Sequence, residues 1–182
     1  MIVLLEGPHG VGKTSVLNAL ASKGHTVIGE HYMDIDTANF DPQGVVCEMR
    51  WMSSWCFHVR SHGHTTLVTD RSPLSVAVYT HRCEMFDALC SVAEAAIRET
   101  GEAKVIMLTG SADVVYERIS KRLREEPQRE RYNEKDKQHL LNVLKLYEKL
   151  PRDVTIDTSE LSVEEVVEKV STAIEMLVHE KH

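Results

Sequence analysis

The chain has 182 residues, of which 42% are hydrophobic and 27% charged, a size and balance typical of one soluble globular domain. Its formal net charge of −7 argues against the broad basic surface that binds a nucleic-acid polymer. No apolar run approaches the roughly 20 residues of a membrane-spanning helix, so we expect no membrane association.

The first predicted element is a short strand. Residues 2–6 (Ile-Val-Leu-Leu-Glu) run directly into a glycine, as in a central strand that is buried on both faces. This N-terminus lacks the basic start of a signal peptide, so we predict a cytoplasmic protein. Apolar residues at helical spacing after Lys13 predict a helix that ends near Gly24.

The alternation of strand and helix continues along the chain. Further strands are predicted at residues 26–30, 65–70, 104–109 and 154–157, and helices at 45–60, within 73–98, after 111, around 140–150 and from 162. Ser162 and Glu165 form a capping box at the start of the last helix. The pattern predicts an α/β protein with a parallel sheet covered on both faces, and no linker divides residues 1–182 into two domains.

The segment at residues 7–14, Gly-Pro-His-Gly-Val-Gly-Lys-Thr, matches the P-loop pattern, in which glycines turn backbone N–H groups towards a phosphate chain. Lys13 should reach the β- and γ-phosphates, and Thr14 should offer its hydroxyl to Mg²⁺. A GTPase would carry a guanine-reading segment after a later strand, and the fourth strand here leads into Gly-Ser-Ala-Asp, which disfavours that class. The predicted nucleotide-binding residues are Gly7, Pro8, His9, Gly10, Val11, Gly12, Lys13, Thr14 and Ser15.

Two acidic residues follow predicted strands, at the edge where a parallel sheet binds its ligands. Glu30 could accept the proton of an attacking hydroxyl, or it could be a solvated loop carboxylate. Asp70 could hold the metal, directly or through water, and Arg71 could contact a substrate hydroxyl or phosphate. The alternative for Asp70 and Arg71 is a surface ion pair that closes the strand.

A concentration of basic residues begins at Arg118 in an otherwise acidic chain. Arg118 and Arg122 lie one turn apart on one helix face, and Arg124 follows near the end of the helix. We interpret residues 118–132 as a lid whose arginines neutralise charge on a transferring phosphoryl group. A solvated helix face is the alternative.

The helix predicted at 45–60 carries three aromatic residues, Trp51, Trp55 and Phe57. Their rings could stack on a nucleobase, or they could pack in the core.

These motifs resemble those of the deoxynucleoside kinase and thymidylate kinase group, which includes the herpesviral thymidine kinases. The P-loop, the Asp-Arg-x-Pro segment and the Arg-x-x-x-Arg-x-Arg-Glu-Glu segment occur in the same order as in that group, and the similarity spans nearly the whole chain. The resemblance implies a three-layer α/β P-loop kinase fold, with a five-stranded parallel sheet, helices on both faces and an arginine-rich lid.

The resemblance also implies ATP as phosphoryl donor and Mg²⁺ as cofactor. It makes Glu30 the base that deprotonates the acceptor, and it places Arg118 against adenine. The catalytic residues that it implies are Lys13, Glu30, Arg71, Arg122 and Arg124.

We therefore expect a monomeric or homodimeric kinase that transfers the γ-phosphoryl group of ATP to the 5′-hydroxyl of a (deoxy)nucleoside. A nucleoside monophosphate kinase of the thymidylate kinase type is the alternative, because its acceptor is already an anion and needs a basic contact more than a base. Glu30 has no arginine beside it in the sequence, which favours the nucleoside. From another class, a regulatory protein could hold ATP without transferring a phosphoryl group.

Overall fold

The computed structural model describes residues 1–30, 32–34, 40–41, 43–63, 66–80 and 82–179. A single parallel sheet of five strands forms its centre, in the order β2-β3-β1-β4-β5. The direction of the connections changes between β1 and β3, so the carboxyl ends of these two strands border the crevice where such sheets bind ligands. The strands are β1 (Ile2–Glu6), β2 (Thr26–Ile28), β3 (Leu67–Asp70), β4 (Ala103–Thr109) and β5 (Val154–Asp157).

Seven α-helices and three short 3₁₀ turns connect the strands in the described part of the chain. The 3₁₀ turns span Tyr32–Asp34, Cys83–Met85 and Pro127–Tyr132. The helices are α1 (Lys13–Ser22), α2 (Val45–Ser61), α3 (Leu74–Tyr79), α4 (Phe86–Thr100), α5 (Ala112–Glu125), α6 (Lys137–Tyr147) and α7 (Val163–His179).

The side chains of β1 divide the core into two layers, because successive residues of a strand point to opposite faces. Ile2 and Leu4 pack with α2, α3, α4 and part of α6 on one face of the sheet. Val3 and Leu5 pack with α1, α5 and α7 on the other. The sheet is thus covered on both sides, and the predicted three-layer arrangement is confirmed.

The predicted elements are all present, with differences at their ends. Strand β2 ends at Ile28, two residues before the predicted end, because its pairing with β3 extends only that far. The predicted start of β3, Thr65, lies outside the described residues. The stretch predicted as mostly helical at 73–98 is two helices, α3 and α4, separated by a 3₁₀ turn.

The capping box at the start of α7 is confirmed. The backbone N–H of Glu165 donates to Ser162 Oγ at 3.2 Å, and the backbone N–H of Ser162 donates to Glu165 Oε2 at 2.8 Å. These two bonds satisfy N–H groups that a helix start leaves unpaired.

The predicted lid at 118–132 combines the second half of α5 with the 3₁₀ turn at Pro127–Tyr132. Across the residues that the structure describes, no helix has the length and apolar character needed to cross a membrane.

Candidate active site

The P-loop connects β1 to α1 and depends on its glycines. Gly7 has φ +143°, and a Cβ placed there would lie 2.3 Å from the backbone oxygen of Leu108. Gly10 has φ +82°, and its Cβ would lie 2.9 Å from Ile119 Cγ1. Any side chain at these positions would collide with β4 or α5, so the glycines let the loop fold tightly against the sheet.

Lys13, the first residue of α1, is folded back onto the loop. Its Nζ donates to the carbonyl oxygens of Gly7 at 2.7 Å and Pro8 at 2.8 Å. Burial, reinforced by the charge of Arg71, lowers the pKa of Lys13 to about 8. A buried ammonium that donates to carbonyl groups would be stabilised further by a charged phosphate oxygen.

Thr14 and Asp70 meet at the carboxyl ends of β1 and β3. Thr14 Oγ1 donates to Asp70 Oδ2 at 2.9 Å. Asp70 Oδ1 is buried and has no hydrogen-bond partner among the described residues. Burial raises the pKa of Asp70, since the charged form is denied water. A hydroxyl and an unsatisfied carboxylate oxygen in one place are ligands that a hard divalent cation prefers.

Arg71 directly follows β3 and holds an unusual backbone conformation. Its φ of 68° lies in the left-handed region, which costs a non-glycine residue about 1–2 kcal/mol. The side chain is fixed on three sides. Nη1 donates to the hydroxyl of Tyr147 at 2.8 Å, the guanidinium lies 4.5 Å from the ring centre of Tyr79, and Nε lies 2.6 Å from Glu30 Oε1.

Glu30 thus has an arginine beside it in space, although it has none beside it in the sequence. Burial acts to raise the pKa of Glu30, but the charges of Arg71 and Lys13 outweigh it and lower the pKa overall. Glu30 is therefore a carboxylate at neutral pH. Its backbone oxygen also accepts a hydrogen bond of 2.6 Å from Trp51 Nε1, which ties the end of β2 to α2.

Glu6, the last residue of β1, supports the turn that contains Arg71. Its Oε1 accepts from the backbone N–H of Ser72 at 2.7 Å and from Ser72 Oγ at 2.6 Å, and its Oε2 accepts from Ser75 Oγ at 2.9 Å. Burial raises its pKa, whereas the bond from Ser72 acts to lower it. Glu6 was not among the predicted site residues, although a carboxylate at the end of a buried strand is visible in the sequence.

His9 lies between the P-loop, Arg71 and the lid. Its Nδ1 is 3.0 Å from Arg71 Nη2 and 3.4 Å from Glu134 Oε1. Burial, followed by the surrounding positive charges, lowers the pKa of His9 well below its ordinary value. The neutral ring accepts from Arg71 at Nδ1 and carries its proton on Nε2, so its approach to Glu134 is not an ion pair.

Two of the predicted lid arginines are held by specific partners. Arg118 donates to the hydroxyl of Thr158 at 3.0 Å and to its backbone oxygen at 2.8 Å. Arg122 Nη2 lies 2.5 Å from Oε2 of Glu134, whose side chain is fully buried. Both arginines are on the face of α5 that points towards the P-loop.

The structure does not bring Arg124 into this group. Arg124 is exposed on α5, because two residues beyond Arg122 correspond to about 200° around the helix. Arg129, from the 3₁₀ turn, lines the cleft instead, with its Nε 3.1 Å from Glu126 and its Nη1 3.9 Å from Glu134. Arg129 lies within the predicted lid at 118–132, but it was not among the arginines predicted to act there.

Most of the predicted site residues line one cleft, which we call the P-loop cleft. Gly7 and Pro8 contribute through their carbonyl groups to Lys13, and Val11 is buried beside an adjoining groove that Arg118 also lines. The cleft residues are His9, Gly10, Gly12, Lys13, Thr14, Ser15, Glu30, Asp70, Arg71, Arg118, Arg122, Glu126 and Arg129.

A second cavity, which we call the inner pocket, adjoins this cleft. The two share His9, Glu30, Arg71 and Arg129. The other residues that line the inner pocket are Tyr32, Gln43, Glu48, Trp51, Ser75, Tyr79 and Tyr132.

The inner pocket has aromatic walls and a buried polar end. Trp51 lines it, whereas Trp55 is buried in the core and Phe57 is 79% exposed, so one of the three predicted stacking residues is in place. Burial raises the pKa of Glu48 to about 8. Glu48 and Gln43 are both buried and were not predicted as site residues. Glu48 lies on the apolar stripe of α2, and a charged residue on such a stripe was the sign in the sequence of a buried polar group.

Comparisons with known proteins identify the family of the chain and its fold. A family model described as "AAA domain" matches residues 2–159. No curated protein matches the sequence.

Solved structures of other proteins share the fold over nearly the whole chain. Deoxyadenosine kinase from M. mycoides with bound dATP is 16% identical, with a TM-score of 0.68 over 96% of this chain and 100% of that one. The YorR protein from Bacillus subtilis, in complex with phosphorylated GDP, is 18% identical, with a TM-score of 0.62 over 98% of each chain. The tunicamycin resistance protein of Deinococcus radiodurans is 17% identical, with a TM-score of 0.61 over 95% and 94%. The predicted P-loop kinase fold is confirmed.

Proposed function

Because the chain belongs to the AAA domain family, with its P-loop intact, we propose that it transfers the γ-phosphoryl group of ATP to the 5′-hydroxyl of a (deoxy)nucleoside. One observation carries this proposal. The P-loop cleft and the inner pocket meet at the Glu30–Arg71 pair, so a donor and an acceptor can occupy adjoining cavities with a base and a cation between them.

The donor site is proposed along the P-loop. The loop N–H groups and the start of α1 bind the polyphosphate, and Lys13 exchanges its carbonyl partners for the β- and γ-phosphates. The groove beyond Gly10 and Val11 has an apolar side at Leu161 and a cationic side at Arg118. A purine ring fits that pairing, since a guanidinium stacks well on an aromatic plane.

For the metal, the proposal assigns Mg²⁺ to Thr14 and Asp70. The buried Asp70 oxygen without a hydrogen-bond partner in the described structure fits a cation ligand. A Mg²⁺ ion held by these two residues would neutralise charge on the phosphate chain of the donor.

At the acceptor, Glu30 takes the proton of the 5′-hydroxyl as the hydroxyl oxygen attacks the γ-phosphorus, and the bond from the γ-phosphorus to the departing ADP breaks. Glu30 is ionised at neutral pH and can therefore act as a base. Arg71, Arg122 and Arg129 line the P-loop cleft and stabilise the charge on the transferring group.

A neutral acceptor is favoured over a monophosphate by the charges around the inner pocket. Arg71 is paired with Glu30, and Arg129 lies 3.1 Å from Glu126. An anionic acceptor would have to compete with these carboxylates for the arginines. Arg129 nevertheless lines the inner pocket, and it is the residue that a monophosphate kinase would use.

A coupled assay that follows ADP formation tests the proposal with a panel of nucleosides and the corresponding monophosphates. We expect nucleosides to stimulate turnover above the background ATPase rate, and Lys13→Met to abolish the stimulation. If monophosphates alone stimulate turnover, the acceptor is a nucleoside monophosphate and not a nucleoside. Binding of Mg–ATP without stimulation by any acceptor would instead indicate a regulatory ATP-binding protein.

A further inference from the structure

We infer that Glu134 is a positioning residue that fixes Arg122 over the P-loop cleft without itself contacting substrate. The inference rests on the proposed function, because the value of a fixed arginine lies in the charge of the transferring phosphoryl group. It concerns a residue that neither the P-loop nor the lid motif includes.

The burial of the two partners differs in a way that suits this role. The side chain of Glu134 is fully buried and is not among the residues that line the P-loop cleft, whereas Arg122 is 27% exposed and lines it. Their closest atoms, Oε2 and Nη2, are 2.5 Å apart. A guanidinium has five N–H donors, so Arg122 can hold the carboxylate and still offer donors to a phosphate.

The second carboxylate oxygen of Glu134, Oε1, lies near Arg129 and the ring of His9. Oε1 lies 3.9 Å from Arg129 Nη1 and 3.4 Å from His9 Nδ1, which already accepts a hydrogen bond from Arg71. His9 therefore offers no proton to Glu134. The carboxylate acts on the two lid arginines and is held in place by them, because a buried carboxylate without a cationic partner is strongly unfavourable.

The neighbouring residue connects this anchor to the inner pocket. Asn133 ends the 3₁₀ turn in the left-handed region, with φ 57°, and its Nδ2 lies 3.2 Å from Oε1 of Gln43. Gln43 lines the inner pocket. Asn133 thus contacts a residue of the inner pocket, and the next residue, Glu134, contacts the lid arginines Arg122 and Arg129.

A double-mutant cycle tests the role of Glu134. The variants are Glu134→Gln, Arg122→Gln and the two combined, and Glu130→Gln is the matched control. Glu130→Gln removes the same charge in the same segment, but Glu130 is exposed, and its ion pair among the described residues is with exposed Lys135 at 3.4 Å. Thermal melts confirm that each variant is folded.

We expect Glu134→Gln to lower kcat about tenfold or more, close to the loss in Arg122→Gln, and the double variant to lose little further. The affinity for Mg–ATP should increase in Glu134→Gln, because Arg122 is released from a competing carboxylate. Glu130→Gln should resemble the wild type. If the loss of kcat in the double variant equals the product of the two single losses, the two residues act independently and the assignment is overturned. A loss of kcat in Glu134→Gln that is matched by an equal loss of Mg–ATP affinity would also overturn it.

The same variants separate this inference from the proposed function. If the wild-type protein transfers phosphate to no acceptor, the proposed function fails, and calorimetric Mg–ATP binding then decides the role of Glu134. Glu134→Gln should change the affinity in the wild-type background and leave it nearly unchanged in the Arg122→Gln background. Equal changes in both backgrounds would show that Glu134 does not act through Arg122.

Discussion

Arg71 Nε lies 2.6 Å from Glu30 Oε1, at the point where the two cavities join. Glu30 lies two residues beyond β2 and Arg71 directly follows β3, so the pair joins residues that are 41 positions apart in the chain but follow adjacent strands of the sheet. Arg71 keeps Glu30 ionised and at the same time makes it a weaker base. A hydroxyl that approached this pair would meet both a proton acceptor and a cation for the developing oxyanion.

Glu30→Gln should lower turnover about a hundredfold or more, because the amide keeps the size of the side chain but cannot accept the proton. The affinity for Mg–ATP should be nearly unchanged, since the P-loop is untouched. Steady-state kinetics and calorimetry on Glu30→Gln and the exposed control Glu130→Gln make the comparison. Turnover at the wild-type rate in Glu30→Gln would show that Glu30 is not the base.

Asp70→Asn should raise the Mg²⁺ concentration needed for half-maximal turnover about tenfold or more, since an amide oxygen is a weaker ligand for a hard cation. Asn can still accept the Thr14 hydrogen bond, so the fold should be retained. Mg²⁺ titrations of turnover at saturating ATP measure the shift, and EDTA should abolish activity in both proteins. An unchanged Mg²⁺ dependence would place the metal elsewhere.

Glu48 should make stability depend on pH. Burial raises its folded pKa from 4.5 to about 8, so the folded state binds an extra proton between these values and loses stability as pH rises through them. The loss has a limiting slope of roughly 1.4 kcal/mol per pH unit. Glu48→Gln removes the titration.

Urea unfolding of the wild type and Glu48→Gln at several values between pH 5 and pH 8.5 isolates this effect, because the other titrating groups are common to both. The free energy of unfolding of Glu48→Gln should increase relative to that of the wild type as the pH rises. Parallel pH curves for the two proteins would contradict the burial of an ionisable Glu48.

Glu6→Ala should lower the free energy of unfolding by about 3 kcal/mol or more, because it leaves the Ser72 N–H and two serine hydroxyls buried without their acceptor. Glu6→Gln should cost less, since an amide retains one acceptor oxygen. Glu168→Ala, on the exposed face of α7, is the control and should stay within about 0.5 kcal/mol. Chemical denaturation of the four proteins measures the difference, and a cost for Glu6→Ala equal to the control would argue against its role.

The order of elements could be predicted because it rests on local patterns. The apolar run of β1, the glycines of the P-loop and the capping box of α7 each depend on neighbours in the sequence, and each is present. Arg118 and Arg122 were also placed correctly on one face, since four residues make about one helical turn. Arg124 was not, because its angle around the helix points it to solvent.

The partners of these residues depend on tertiary structure, and the sequence gives little sign of them. Glu134 binds Arg122 only because the 3₁₀ turn reverses the chain after α5. Glu30 acquires Arg71 through the pairing of β2 with β3. Glu6 and Glu48 are polar residues inside apolar patterns, which indicates buried polar groups, but neither was predicted as a site residue.

The two tryptophans give the protein an internal optical reporter. Trp51 lines the inner pocket and lies 6.1 Å, centre to centre, from the ring of Tyr32, whereas Trp55 is sealed in the core. Emission from Trp51 therefore responds to an occupant of the inner pocket, and emission from Trp55 supplies a constant background. Filling of the inner pocket can be followed in the unlabelled protein, independently of whether any phosphoryl group moves.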